Sequence, residues 1–148
     1  MLVGVISDTH GVLPTWVGPI FEGVDLIMHA GDVGAVAVLD ELELIAPVIA
    51  VRGNMDSATE LAPLPDHARR VEAGVRLLMV HEPGHVRWLL ASLPADVVIV
   101  GHTHRPRVQR DGYLTVNPGS ASRSVGEGHS VALLRIAEGV AEAEIVRE

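Results

Sequence analysis

The stretch VIVGHTH, residues 98–104, runs from a short aliphatic segment into a glycine and two histidines. The aliphatic part has the length of a strand buried within a sheet. In an extended backbone, residues two apart project from the same face, so His102 and His104 are predicted to share one. The stretch therefore predicts a buried strand that delivers two imidazoles to one place, although the pair alone equally fits a structural turn.

The same arrangement recurs at the ends of other predicted strands. Seven residues of metal-binding type follow the strand-like segments 2–7, 25–32, 47–54, 75–81 and 95–104; they are Asp8, His10, Asp32, Asn54, His81, His102 and His104. Taken singly, each has a commoner explanation as a turn or cap residue. Because sites in α/β sheets form beyond the carboxyl ends of strands, the combination predicts one shared site.

The number and type of these side chains indicate more than one metal ion. Oxygen and imidazole donors suit Mn²⁺, Fe²⁺ or Zn²⁺. Seven donors exceed the three or four protein ligands of a single zinc site. Two ions that share one carboxylate would use all seven, and two-metal sites suit in-line attack on phosphorus.

Composition limits the class of protein. The 148 residues predict a single domain spanning 1–148, and 48% hydrophobic against 3% aromatic residues predicts an aliphatic core. Without cysteine, disulfide and thiolate chemistry are excluded. No stretch reaches the ~20 apolar residues of a membrane span, and no basic leader precedes the first strand, so we expect a soluble, cytoplasmic protein.

Charge argues against a nucleic-acid surface. The net charge is −8, and the sequence contains no lysine. Proteins that track a phosphate backbone need clustered basic residues. A small phosphorylated substrate is still compatible with this balance, because local charge can oppose the global sign.

The order of predicted elements changes along the chain. The first half alternates strands with helices predicted at 35–45 and 85–93, as βαβ units do. Hairpins are predicted around Ala73-Gly74, Asp111-Gly112 and Glu138-Gly139. This order predicts two packed sheets flanked by helices.

The ordered motifs resemble those of the calcineurin-like metallophosphoesterase superfamily. D-x-H, GD, GN, a later histidine and GH-x-H occur in that order, and HAGD, RGN-x-D, GHTHRP and NPGS are similar to the small YfcE-type phosphodiesterases. The resemblance implies an α/β fold, a four-layer α/β/β/α sandwich of two mixed sheets flanked by helices. It implies hydrolysis of small phosphodiesters by a metal-bridging hydroxide.

The resemblance also implies how the ligands are divided. It places Asp8, His10 and His104 on the first metal, Asn54, His81 and His102 on the second, and Asp32 between them. The cofactors implied are two divalent transition-metal ions, with Mn²⁺ expected first and Fe, Zn, Ni or Co also accepted by these donors.

Two departures from the family pattern concern the catalytic groups. Met55 follows the GN asparagine, where other branches carry histidine or cysteine, so little general-acid help is expected from that loop. Asp56 is either a catalytic group or a loop anchor. In HEPGH, residues 81–85, His81 is the predicted ligand, whereas His85 either reaches the substrate or lies on the surface. Arg105 beside GHTH either meets phosphate or is solvated.

Other functions remain open at this stage. A non-catalytic protein-interaction scaffold of the same fold is one alternative, because the retromer subunit related to this family serves mainly in that role. The complete set of seven donors favours an enzyme. A nuclease is disfavoured by the negative charge. The expected partner is a small phosphate ester, without nucleic acid or membrane, and homo-oligomerisation stays open.

Overall fold

The computed structural model describes residues 1–148, which form ten strands and three short helices. The strands are β1 (Leu2–Ile6), β2 (Leu26–His29), β3 (Val48–Ala50), β4 (His67–Glu72), β5 (Val75–Val80), β6 (Val97–Ile99), β7 (Arg107–Asp111), β8 (Tyr113–Asn117), β9 (Ser130–Ala137) and β10 (Val140–Arg147). The helices are α1 (Val17–Phe21), α2 (Val36–Glu43) and α3 (Val86–Leu90), and a 3₁₀ turn at Pro83–His85 leads into α3. None of these helices is long and apolar enough to cross a membrane.

The strands form two five-stranded mixed sheets. The first sheet has the order β10-β9-β1-β2-β3 and the second the order β4-β5-β6-β8-β7. In the first sheet β1, β2 and β3 are parallel, and in the second β5, β6 and β8 are parallel. The carboxyl ends of the parallel strands of each sheet therefore lie at one edge, where the candidate ligands follow.

Alternating apolar residues place the core in three layers. Val5 and Met28 of the first sheet share a 17-residue buried cluster with Met79 and Ile99 of the second. A cluster of 12 buried residues lies beneath α1 and α2, and one of six beneath α3. The largest of the three clusters thus lies between the sheets, with helices outside. This confirms the predicted four-layer α/β/β/α sandwich of two mixed sheets.

The observed strands are shorter than the sequence predicts. The first ends at Ile6, the second at His29 and the third at Ala50, and the helix expected over 35–45 spans Val36–Glu43. The polar residues beyond these strands leave the hydrogen-bonded ladder and turn toward the space between the sheets. The predicted boundaries were wrong because these residues follow the strand directly without a proline or a long polar break.

The predicted hairpins are confirmed, and two of their turns meet. The two-residue turns Ala73-Gly74 and Glu138-Gly139 have positive φ at both residues, as type I′ turns require. The Gly139 amide donates a hydrogen bond of 2.9 Å to the Ala73 carbonyl. One turn belongs to each sheet, so the sheets are joined by a backbone hydrogen bond at these hairpins.

Candidate metal centre

The structure brings all seven predicted ligands to one place between the sheets. The loops after β1, β2 and β3 carry Asp8, His10, Asp32 and Asn54, and the loops after β5 and β6 carry His81, His102 and His104. The first sheet thus supplies both carboxylates, the amide and one imidazole, and the second supplies three imidazoles. The side chains meet in two groups.

The first group surrounds a buried carboxylate oxygen. His104 Nε2 lies 3.2 Å from Asp8 Oδ1, His10 Nε2 lies 3.9 Å from the same atom, and the two ring nitrogens are 3.3 Å apart. The other oxygen, Asp8 Oδ2, accepts hydrogen bonds from Ser7 Oγ at 2.5 Å and from the His102 amide at 3.0 Å.

The Asp8 Oδ1 atom is buried and has no hydrogen-bond partner. Buried polar atoms are almost always partnered, so an unpartnered one calls for an explanation. A divalent cation seated among Asp8, His10 and His104 would satisfy it, and these three residues have ligand atoms within 4.8 Å of one another. The donors present therefore fit a metal ion.

The second group is centred on an amide oxygen. Asn54 Oδ1 lies 3.1 Å from His81 Nε2 and 3.1 Å from His102 Nδ1. Asp32 lies between the groups: its Oδ1 is 3.5 Å from His81 Nε2, and its Oδ2 is 4.0 Å from His10 Nε2. The two oxygens of one carboxylate therefore face different groups.

Two imidazoles are oriented by backbone carbonyls behind them. His81 Nδ1 donates to the Ala30 carbonyl at 2.7 Å, and His104 Nδ1 donates to the Arg123 carbonyl at 2.7 Å. Because a carbonyl can only accept, each Nδ1 carries a hydrogen, and Nε2 faces the site. Metal-binding histidines are fixed in this way by a partner on the far nitrogen.

Burial and charge set the protonation of the site. Burial raises the pKa of Asp8, and burial lowers the pKa of His10, which favours the neutral imidazole, the form able to bind a metal ion. Burial alone would raise the pKa of Asp32 and lower that of His81. The hydrogen bond between the two, together with those from the Met55 amide and to the Ala30 carbonyl, outweighs burial, so the pKa of Asp32 is lowered and that of His81 raised.

Five of the seven residues have left-handed backbones. The φ angles are 55° at Asp8, 48° at His10, 52° at Asp32, 69° at His102 and 56° at His104. Such conformations are uncommon outside glycine and cluster at functional sites.

The expectation that His102 and His104 share one face of an extended chain was wrong, because the backbone turns at both. His102 instead reaches Asn54, whereas His104 reaches Asp8.

Glycines allow the loops to approach closely. A Cβ atom on Gly53 would overlap the Asp32 carboxylate, and one on Gly101 would overlap Ser7 Oγ. The glycines of the GN and GH motifs are therefore needed because neighbouring ligand loops occupy the space of their side chains.

The NPGS segment holds the ligand loops from behind. Asn117 Nδ2 donates to the Gly101 carbonyl at 3.0 Å, and Ser120 Oγ donates to the Asp8 carbonyl at 2.8 Å and accepts from the Arg123 amide at 2.8 Å. Through these contacts the turn that follows β8 supports the loops after β1 and β6. Sequence reasoning missed Ser7 and Arg123, and the only signal for Arg123 is its place three residues beyond Ser120.

Asp56 is a loop anchor. It is fully buried, and its carboxylate accepts hydrogen bonds from the backbone amides of Gly53 at 2.9 Å, Gly34 at 3.0 Å and Val33 at 3.2 Å. It thereby ties the loop after β3 to the loop after β2. Of the two roles predicted for Asp56, the structure places it in the anchoring one.

The other two candidate catalytic residues lie in different cavities. His85 is exposed and lines a cavity of about 570 Å³ together with Asn54 and His81. Arg105 lines a separate cavity of about 680 Å³ that contains none of the seven ligands. The structure therefore brings His85, but not Arg105, to the cavity that opens onto the second group.

Comparisons with known proteins identify the superfamily to which this chain belongs. A family model described as the calcineurin-like phosphoesterase superfamily domain matches residues 1–139, and the chain belongs to this superfamily. A probable metallophosphoesterase of Methanothermobacter thermautotrophicus is 37% identical over 160 aligned positions, covering 99% of this chain and 92% of the relative. The superfamily to which the sequence was predicted to belong is thereby confirmed.

Solved structures agree with this class. A structure described as that of a novel archaeal phosphodiesterase superimposes with a TM-score of 0.81 at 26% identity, covering 99% of this chain and all of that one (100%). Vps29 from Entamoeba histolytica, solved in complex with Zn²⁺, has a TM-score of 0.78 at 22% identity and covers 99% of this chain and 98% of its own. At that identity the second likeness shows a shared fold alone.

Proposed function

We propose that the protein hydrolyses small phosphodiesters and uses two divalent transition-metal ions held by the seven clustered side chains. The observation that carries this proposal is the buried, unpartnered Asp8 Oδ1 with the Nε2 atoms of His104 and His10 at 3.2 and 3.9 Å. An acceptor oxygen faced by two nitrogens that also face each other is stabilised by a cation. Membership of a metallophosphoesterase superfamily supports the same reading.

The two groups suggest how the ligands divide. One ion would be held by Asp8, His10 and His104, the other by Asn54, His81 and His102, with Asp32 shared because its two oxygens face different groups. Oxygen and imidazole donors accept Mn²⁺, Fe, Zn, Ni or Co, and we favour Mn²⁺. When bound, two such ions generate a nucleophile from water and neutralise charge on the phosphoryl oxygens.

The chain's own groups position these ligands and leave the departing alcohol unassisted. Ser7 and the His102 amide hold Asp8, and the Met55 amide holds Asp32 Oδ1 at 2.9 Å. Water supplies the new oxygen on phosphorus and loses a proton to solvent. The bond from phosphorus to the leaving oxygen breaks, and that oxygen leaves as an anion that takes its proton from solvent, because Met55 has none to donate. In this scheme His85 contacts substrate from the cavity wall, and Arg105 takes no part.

The test combines metal analysis with hydrolysis of a model diester. Purified protein reconstituted with Mn²⁺ should hold two equivalents and hydrolyse bis(4-nitrophenyl) phosphate. Asp32→Asn should lose both properties, because it removes the shared carboxylate charge. Asp40→Asn, which alters an exposed carboxylate on α2, should keep both. Protein that binds no metal, or that is inactive with every divalent ion, would overturn the proposal.

A scaffold is the second candidate function, favoured by the fold shared with Vps29 from Entamoeba histolytica. It predicts a stable protein without turnover of any ester, whatever metal is supplied. A nuclease is the third, and it predicts cleavage of DNA without hydrolysis of small diesters at moderate salt. The net charge of −8 argues against it.

A further inference from the structure

An exposed tryptophan stands on the short helix that follows His81. Within α3, Val86 and Leu89 are buried against the second sheet, and this fixes the opposite face outward. Trp88 lies on that outward face with 76% of its surface exposed. Tryptophan is on average among the more buried residue types, so such exposure needs an explanation.

The indole borders the same cavity as two proposed metal ligands. The cavity of about 570 Å³ is lined by Asn54, His81, His85 and Trp88, among others. His85 and Trp88 are three residues apart across the start of α3, so their side chains are neighbours on one face. The cavity volume falls within the range of small-molecule sites. A molecule whose phosphate lies at Asn54 and His81 can therefore extend along the same cavity to Trp88.

The cavity wall offers no free guanidinium to bind a second phosphate near Trp88. Arg52 carries the only guanidinium of the lining, and it is occupied by the Ala62 carbonyl at 2.7 Å and by the Asp66 carboxylate. Asp66 and Glu82 add acceptor oxygens to the wall. An aromatic face beside carboxylates suits an uncharged planar ring that carries N–H donors.

We propose that Trp88 is the stacking platform for the nucleobase of a nucleotide phosphodiester, so that nucleotide esters are the substrate class of this site. Bases stack on aromatic side chains irrespective of sequence, because every base presents a π-face. The inference rests on the proposed function for its hydrolytic part. Recognition of the base by Trp88, however, is measurable without turnover.

The kinetic test uses two esters that release the same leaving group. Thymidine 5′-(4-nitrophenyl phosphate) and methyl 4-nitrophenyl phosphate differ in the alcohol that remains on phosphorus. Trp88→Leu should lower kcat/KM for the thymidine ester about tenfold, mainly through KM, and leave the methyl ester unchanged. Trp88→Phe should restore most of the loss. Leu44→Ala, which alters an apolar side chain that is 87% exposed away from this cavity, should change neither.

The binding test needs no activity. The Mn²⁺-loaded wild type should bind adenosine 5′-monophosphate about tenfold more tightly than ribose 5-phosphate by calorimetry, and Trp88→Leu should remove that preference. Equal binding of the two phosphates by the wild type, or an undiminished preference in Trp88→Leu, would overturn the proposal that Trp88 stacks on the nucleobase.

The two tests separate the failure of this inference from the failure of the proposed function. If both esters are hydrolysed but Trp88→Leu slows them equally or not at all, the platform is wrong and the phosphodiesterase stands. If no ester is hydrolysed with any metal while the nucleotide preference depends on Trp88, the proposed function is wrong and the nucleotide site stands.

Discussion

Met55 has a backbone role and a side chain unsuited to catalysis. Its amide donates to Asp32 Oδ1 at 2.9 Å and so helps to place the carboxylate that we propose is shared. Its thioether side chain is 60% exposed beside Asn54 and carries no proton to give. Because any residue except proline could supply this amide, the backbone role does not restrict which side chain stands at position 55. That side chain can therefore determine the leaving-group preference.

Replacing this side chain should widen the range of leaving groups. We predict that the wild type hydrolyses 4-nitrophenyl esters far faster than alkyl esters of the same phosphate. Met55→His should raise the rate for alkyl leaving groups by at least tenfold, because an imidazole can act as general acid. Steady-state kinetics on matched aryl and alkyl diesters checks this. Met55→Leu should match the wild type, and comparable wild-type rates for both ester types would contradict the prediction.

At the residue scale, the identity of the donors could be predicted but their backbone conformations could not. Asp8, Asn54 and His81 follow apolar strands, and this placement is visible in the sequence. The left-handed φ at His102 and His104 depends on contacts with Asn54 and Asp8, which are far away along the chain. The role of Ser7 could not be predicted, because serine at a strand end is common and belongs to no motif of its own.

At the scale of elements, the ligand loops depend on close packing between strand ends. Gly53, which follows β3, has no room for a Cβ atom because Asp32 from the loop after β2 occupies that space. The two loops are also tied by Asp56, which accepts hydrogen bonds from Gly53 and from Val33. Displacing either loop therefore moves the Asp32 carboxylate, which we propose is shared.

Gly53→Ala should damage the site more than the fold. We expect a loss of about 1–3 kcal/mol in the free energy of unfolding from overpacking, and a fall in metal affinity of about 10–100-fold as Asp32 moves. Urea unfolding and metal titration measure the two effects. Gly18→Ala in α1 is the matched control, because its Cβ would meet nothing within 4 Å. Wild-type metal affinity in Gly53→Ala would contradict the argument.

A surface pair between β5 and β6 should make stability depend on pH. Asp96, just before β6, accepts hydrogen bonds from Arg76 of β5 through Nη2 at 2.7 Å, the backbone amide at 2.8 Å and Nε at 3.0 Å. These hydrogen bonds lower the pKa of Asp96 to about 2. Because the unfolded pKa is about 3.9, the stabilisation is complete above pH ~4 and is lost as the pH falls through about 2.

The prediction concerns the difference in unfolding free energy between the wild type and Asp96→Asn. This difference should be constant between about pH 7 and 5 and should shrink below about pH 4. Denaturant unfolding at a series of pH values measures it. Arg76→Gln removes the two guanidinium hydrogen bonds but keeps the backbone amide, so it should show part of the same pH-dependent loss. If the difference in unfolding free energy stayed unchanged down to about pH 2.5, it would contradict the lowered pKa of Asp96.

The elements themselves could be predicted where a turn signal is explicit. Ala73-Gly74 and Glu138-Gly139 mark hairpins, and both form. The strand expected over 47–54 is only Val48–Ala50, because Gly53 and Asn54 belong to a loop shaped by Asp32 and Asp56. Local sequence therefore predicts which elements exist, whereas their ends depend on loops from neighbouring strands.

At the scale of the whole molecule, the site and the core are separate. The clusters that hold the sheets and helices together consist of apolar side chains from both sheets, and none of the seven candidate ligands belongs to them. The backbone hydrogen bond between the hairpin turns at Ala73 and Gly139 also joins the sheets. The fold therefore does not need a metal ion to hold its sheets together.

Metal should raise the melting temperature of a protein that is already folded. Chelator-treated protein should unfold cooperatively, because the apolar clusters remain intact. Mn²⁺ at 100 times its Kd should add about 2.7 kcal/mol for each ion bound, which corresponds to roughly 5–10 °C in Tm per ion. Asp32→Asn should abolish the shift, and Asp40→Asn should keep it. An unfolded chelator-treated protein would show that the metal is part of the fold.

The left-handed backbones of five candidate ligands affect how this sequence can change. A non-glycine residue with φ near +55° is strained by on the order of 1 kcal/mol, whereas glycine adopts that conformation freely. Mutational drift in a chain that no longer used its metal centre would therefore favour glycine at Asp8, His10, Asp32, His102 and His104, since each replacement relieves strain. Selection for a working site preserves donor side chains at these positions in spite of the backbone strain. A relative that had become only a scaffold should therefore have replaced these residues by glycine before other residues of the fold.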